Sequence, residues 1–428
     1  MLRTLPATAA TLALLSTAAL ADQTALGPWN GAPDALARQS ALVTSSMALI
    51  QAELPSIRDA TLRRETTEVV ANPATCLQSR ANLTPARKQD LLAKLVSEGL
   101  VDEAEGGRIP GGLLAGVFPG VRDDGTDCPK MPMPYAAAPG SAFGGHHSQP
   151  GGLPVHVAVN LTSALHLAET YRRVYGTLDA KGMPVASGAG QADADLLIDG
   201  DIVRAAPIWH DFAKTIVFQW NADGSEYVEM NFGGNGKTDA WGAAGSSKTG
   251  AHHIIGVAEA MARGLPPAFV IAQASAHSAP NPGAEYNVVN WLRAAAILAG
   301  QDPVARGYLV QDATGRLRLA PVRQLGSVNI QGSLPNQPNM LYEYVLHNLS
   351  DADYTFTGPA AAQADLFLRM LAPKFGYDPA DATRYNTAYR NPVLTHFAAE
   401  RLQILYAAGG MGRVEQEVAK LKAAGLLQ

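Results

Sequence analysis

A carboxylate enclosed by large apolar side chains is the feature that most constrains this chain. In Ile208-Trp209-His210-Asp211-Phe212-Ala213-Lys214-Thr215-Ile216-Val217-Phe218 a His-Asp pair sits in a strongly apolar run. An ionised Asp in such surroundings needs a cation or several hydrogen-bond donors to offset its desolvation. The fold therefore has to gather such groups around Asp211. A metal ion supplies the cation directly; a hydrogen-bonded His/Asp pair without metal is the other solution. Histidines are grouped nearby in sequence, five of the ten between His146 and His210 and three more between His252 and His277. Neutral imidazole with carboxylate suits first-row divalent ions. The two cysteines, Cys76 and Cys128, lack the spacing of a redox or zinc motif.

From Asp34 to about Gly99 the pattern is helical. Thr84-Pro85 marks a helix start, an N-cap hydroxyl followed by Pro in the first turn, and the helix it opens keeps Leu91, Leu92, Leu95 and Val96 on one face up to Gly99. Residues 105–151 are crowded with Gly and Pro, the composition of a linker or of a long loop that shapes a site. Helical segments are expected at 154–175, 197–220, 252–263, 266–277 and 286–299. Strand-like stretches are short: Tyr227 to Phe232, Gly307 to Val310 and Leu317 to Leu319, the last two suited to a hairpin around Thr314-Gly315. Beyond Pro338 helices dominate again, including Ala361 to Leu371 and an amphipathic one from Arg413 to Ala424. The class is mainly α.

Arg3, an Ala/Leu-rich run and then Ala19-Leu20-Ala21 read as a secretory signal peptide over residues 1–21, cut after Ala21. Its apolar stretch is about half the roughly 20 residues a membrane span needs. The expectation is an exported protein, periplasmic or secreted, with no transmembrane span in its mature part. An oxidising location favours pairing of Cys76 with Cys128; two buried thiols are the alternative. A net charge of -5 with no Lys/Arg run shows no nucleic-acid patch and no lipid-surface patch. Small, diffusing substrates fit better.

After Pro154, His156, Asn160 and Ser163 stand at i, i+4 and i+7, a polar stripe on a Val/Ala/Leu-rich segment. The run Gly145-His146-His147-Ser148-Gln149-Pro150-Gly151-Gly152-Leu153-Pro154-Val155-His156 resembles the His-x-x-x-Gly-Gly-Leu-x-x-His motif of the HD phosphohydrolase superfamily. His210-Asp211-x-x-Lys214 resembles that superfamily's name-giving His-Asp-x-x-Lys. His253 in Thr249-Gly250-Ala251-His252-His253-Ile254, and His277 in Ala274-Ser275-Ala276-His277, are similar to the two further histidines of its dinuclear members. The resemblance covers His146 to Gly300. It implies an HD-type helical bundle at 141–310, with irregular Gly/Pro-rich loops and a few short strands. An N-terminal helical region and loop, 22–140, and a C-terminal helical region, 311–428, would flank it.

The resemblance further implies that His156, His210 and Asp211 ligate one metal, that Asp211 bridges to a second, and that His253 and His277 complete the second site. Lys214 lies one helical turn beyond Asp211, on the same face, and is implied beside the phosphate in a catalytic and substrate-binding role. His147 is implied as a donor behind the ligands or toward substrate. His252 is turned about 100° from His253 on a helix and is expected to face away; His166, His347 and His396 are expected to be structural or exposed. One departure stands out: Asn290-Trp291-Leu292-Arg293-Ala294-Ala295-Ala296-Ile297-Leu298-Ala299-Gly300 lacks the Asp with which the family usually closes its site, leaving Asn290 or Asp302 as substitutes. Gly242 to Thr249 approaches a P-loop but lacks the glycine before the lysine, and reads better as a flexible loop beside the site, as do 105–151 and 230–250 for the pocket lining.

The implied function is metal-dependent hydrolysis of phosphomonoester or phosphodiester bonds in a small-molecule or phosphorylated substrate. Divalent metal ions, two of them, would be the cofactors, with Mn, Fe, Mg, Zn and Ni all compatible. An HD-fold di-iron oxygenase is the alternative from another reaction class, and the missing Asp motivates a third reading as a non-catalytic metal-binding protein.

Overall fold

The computed structural model describes Gln23, Ala25 and residues 27–427, apart from 177, 184–197, 235–246, 281–283 and 322–341. The expected signal peptide and most of the P-loop-like run lie outside the described residues. The chain is mainly helical. Its N-terminal part holds α1 (Gly31–Gln39), α2 (Ala41–Glu53), α3 (Ala60–Ala71), α4 (Pro85–Ser97) and the short α5 (Gly112–Val117). The middle holds α6 (Gly152–Tyr175), α7 (Gly200–Trp209), α8 (Lys214–Val217), α9 (Ala251–Ala262), α10 (Pro267–Ala274) and α11 (Glu285–Leu298). The C-terminal part holds α12 (Tyr342–Ser350), α13 (Tyr354–Phe375), α14 (Ala382–Tyr385) and α15 (Asn391–Ala423).

Local chemistry explains several boundaries. The Thr84 hydroxyl accepts the Arg87 amide at 3.2 Å, capping α4, and Gly99 turns the chain out of it at φ +63°. The helix expected over 197–220 is interrupted: α7 ends at Trp209, a turn carries His210 to Ala213, and α8 follows. His210 Nδ1 lies 3.0 Å from the Pro207 carbonyl, the acceptor that the Asp211 amide would need for the helix to continue. In α15, Gly409 and Gly410 leave helical geometry, which separates the amphipathic segment expected after Arg413 from the rest.

The strand expected over Tyr227 to Phe232 shrinks to β1 (Asn231–Phe232), antiparallel to β2 (Thr249–Gly250). The expected hairpin forms from β3 (Leu309–Gln311) and β4 (Leu317–Leu319). Its turn is tied by the Asp312 carboxylate, which accepts from the Thr314 and Arg316 amides.

One buried apolar cluster runs from Ile50 to Tyr344 and passes through both positions, 140 and 310, at which the sequence was divided. A second cluster joins α13 to α15. The Gly/Pro-rich stretch is a packed connection, with Val117, Phe118, Met131, Met133 and Tyr135 inside the first cluster. Cys76 and Cys128 form a disulfide with their Cα atoms 5.1 Å apart, beside the Leu77 amide to Pro129 carbonyl bond of 2.7 Å. No helix of the described residues is long and apolar enough to cross a membrane.

Candidate metal centre

Asp211 stands in the turn between α7 and α8 and is fully buried. Its Oδ2 faces His156 Nε2 from α6 at 3.1 Å, His210 Nε2 at 3.3 Å and Lys214 Nζ at 2.5 Å. Its Oδ1 faces His252 Nε2 from α9 at 3.3 Å. Lys214 Nζ also donates to the Gly140 carbonyl. The Gly-Gly pair before α6 has a steric cause: Gly151 adopts φ +75°, and a Cβ on Gly152 would lie 1.8 Å from the His147 carbonyl oxygen. Only two glycines let the 140–151 loop close over the start of the helix that presents His156.

The closing carboxylate comes from a place the sequence did not suggest. Asp351, in the turn after α12, has Oδ1 at 3.0 Å from His210 Nε2 and 3.3 Å from His156 Nε2, and its Oδ2 is 3.9 Å from His277 Nε2. Leu346 of α12 packs with Ala164 and Ala168 of α6 and Val203 of α7, which holds the end of α12 over both histidines. Neither expected substitute takes this position. Asn290 bonds Ser247 and Arg293, and Asp302 caps the Val304 and Ala305 amides.

The imidazoles share one orientation. His156 Nδ1 meets Asp353 Oδ2 at 3.3 Å, His210 Nδ1 the Pro207 carbonyl at 3.0 Å, His252 Nδ1 Glu229 Oε1 at 2.5 Å, and His277 Nδ1 Thr249 Oγ1 at 3.1 Å. With the proton on Nδ1, a tautomer inferred from these partners, each Nε2 would be free to direct a lone pair toward the space around Asp211 and Asp351 once a metal replaces its proton. An outer acceptor behind each histidine is the usual support of a metal ligand. Two triads have ligand atoms within 4.8 Å of one another, His156/His210/Asp211 and Asp211/His252/His277, with Asp211 common to both. Ligand atoms bound at right angles about 2.1 Å from one ion stand about 3.0 Å apart, close to the separations around Asp211 and Asp351. Asp211 Oδ1 and His252 Nε2 are buried and make no hydrogen bond within the protein. The residues present therefore fit a pair of divalent ions.

The buried groups balance one another as ion pairs. Burial disfavours the Asp211 anion, but His210 and Lys214 outweigh it and hold the carboxyl well below the usual range. Burial likewise opposes a charged His210, yet Asp211 and Asp351 hold its pKa up at about 9.

The α9 register reverses the expected roles of two neighbours. His252 faces Asp211, whereas His253 Nε2 meets the Ala274 carbonyl at 3.0 Å and its ring stacks on His277 and abuts Trp291. Burial and the neighbouring histidines push the His253 pKa well below its ordinary value, as expected of a neutral ring in the core. His147, at φ +52°, is buried behind His156, its Nε2 3.4 Å from Asp353 and 3.7 Å from Glu400; His146 lines the cavity in its place. A third triad, His146/His156/Asp353, uses His156 Nδ1 and is the support of that ring. His347 is buried against His210, and His166 is exposed on α6.

The Nε2 face opens into a cavity of about 430 Å³ lined by His146, His156, Asp211, Lys214, Glu229, His252, His277 and Asp351, together with Asn348, Leu349, Ala352 and Tyr354. Asp351, Asp353 and Glu229 were missed by sequence reasoning. The one signal available was Asn348-Leu349-Ser350-Asp351-Ala352-Asp353, a polar string directly after an apolar helix. No protein-family model, curated protein or solved structure matches this chain.

Proposed function

We propose that the protein is a metal-dependent hydrolase of phosphoester bonds, an exported member of the HD phosphohydrolase superfamily that its motifs resemble. The observation that carries this reading is the convergence of four Nε2 atoms, each backed through Nδ1, on Asp211 and Asp351 at the floor of an open cavity. His156, His210 and Asp351 would hold one divalent ion, His252 and His277 the other, with Asp211 shared. Bound there, the pair would supply an acidified water and positive charge for the phosphoryl oxygens.

The chain's own residues do the rest. Lys214 and the imidazoles keep Asp211 ionised in an apolar surround. Asp353 and Glu229 fix the ring planes of His156 and His252. His146 faces the cavity, where burial and His156 push its pKa down to about 3. It is therefore neutral at ordinary pH and suited to hydrogen-bond an ester oxygen. The Cys76–Cys128 bridge supports an oxidising, exported location. Asp351 offers a carboxylate where the sequence lacked one, which supports the catalytic reading over a non-catalytic one. The all-N/O donor set suits iron as well as manganese, so oxygen consumption by iron-loaded protein is the measurement that separates an oxygenase from a hydrolase.

The test is metal content by elemental analysis, followed by a phosphomonoesterase and phosphodiesterase panel with the metal found. His252→Ala should lose one equivalent of metal and the activity with it. His253→Ala should keep its metal and lose thermal stability instead. A folded protein that takes up no divalent ion, or loses the same ion with either variant, overturns the reading.

A further inference from the structure

Resting on the phosphohydrolase reading, we infer that the organic part of the substrate ester is an uncharged, apolar aryl or alkyl group, not a nucleotide, a sugar phosphate or a second anion. The inner wall of the cavity carries its carboxylates, its imidazoles and its one lysine. Its outer wall is Ala142, Ala276, Leu349, Ala352 and Tyr354. Leu349 and Tyr354 are 48% and 57% exposed, so two large apolar side chains stand in water at the mouth of a polar site. Phe143, next to Ala142, is exposed as well.

Charge excludes the polar alternatives. Among the described residues lining the cavity, Lys214 is the one lysine or arginine, and its Nζ is taken by Asp211 and the Gly140 carbonyl. A second phosphate or a carboxylate on the substrate would meet no cation beyond the proposed ions, and would face the carboxylates of Glu229 and Asp351. Asn348 gives one of its two amide N–H groups to the Ala276 carbonyl, so a sugar or a base edge would find few donors on this wall. An apolar group has the opposite balance: it removes Leu349 and Tyr354 from water and displaces no hydrogen bond.

Leaving-group reactivity confounds turnover, so the test is binding. Dissociation constants are measured by calorimetry on Mn(II)-loaded protein for methyl-, phenyl- and hexylphosphonate, for phosphonoacetate and for inorganic phosphate. Phenyl- and hexylphosphonate should bind about 10-fold or more tighter than methylphosphonate, and phosphonoacetate more weakly. Leu349→Ser and Tyr354→Ala, both at exposed positions, should collapse the ratio of hexyl- to methylphosphonate toward one. Equal binding of the hexyl and methyl compounds, or tighter binding of phosphonoacetate, overturns the inference while leaving the hydrolase reading in place. Failure of every phosphonate and of phosphate to bind the loaded protein overturns the hydrolase reading and the inference together.

Discussion

Two clusters of buried charge lie in the same apolar core, and they are built on opposite plans. In the first, Arg263, just past the end of α9, donates to Glu259 and Glu65 at 2.7 Å each and also to Thr75 and the Cys76 carbonyl. Glu259 in turn takes the Gln78 and Ser79 amides and the Ser79 hydroxyl, and Glu65 takes Arg64. Each carboxylate oxygen there has a donor. The second cluster, around Asp211, is as deeply buried, yet Asp211 Oδ1, His252 Nε2 and Asp353 Oδ1 make no hydrogen bond within the protein. A closed network clamps the segment that carries the disulfide onto α9. An open one leaves buried polar atoms without a partner inside the protein and has a donor set that suits a cation. The two clusters are alike in their burial of charge and differ in their unpaired atoms.

That contrast can be broken most sharply at Asp211. In Asp211→Ala the metal should be lost and turnover should fall to background, because both proposed ions share this carboxylate; unchanged metal content in a folded variant would put the open cluster in the same class as the closed one. In the closed cluster the effect should be on stability. Arg263→Met leaves two buried carboxylates without their cation and should cost about 3–5 kcal/mol in denaturant unfolding, while metal bound per folded molecule stays as in the wild type. The adjoining bridge tests the same side of the comparison. Reduction of Cys76–Cys128 should lower stability by about 2–4 kcal/mol, read as a fall in Tm, and two titratable thiols in untreated denatured protein would show that the bridge does not form.

The smallest effect belongs to the residues that back the rings. Glu229→Gln and Asp353→Asn should each weaken metal binding about 10- to 100-fold, measured by competition with a chelator, with little change in the Tm of the metal-free protein. Glu65→Gln should do the reverse. Equal effects of all three substitutions on metal affinity would erase the distinction between the two clusters.

Much that depended on neighbours within a turn or two of helix was legible in the sequence, though not the break at His210, where a contact with the Pro207 carbonyl ends α7. Thr84-Pro85 opens α4, Thr314-Gly315 turns the β3–β4 hairpin, and the spacing from His147 through Gly151-Gly152 to His156 sets the start of α6. The His210-Asp211 pair announced itself by the cost of a carboxylate among Trp, Phe and Ile, a cost that holds in any fold. Tertiary structure alone decided the rest. Asp351 reaches His210 across 141 positions, and no local pattern encodes a contact made by packing α12 on α6 and α7. The choice between His252 and His253 was equally hidden. Every residue of α9 from Ala251 to Met261 is buried, so the helix has no solvent face from which to read its register. Only its contacts with Glu229 and Asp211 on one side, and with Ala274 and Trp291 on the other, fix which histidine points into the site.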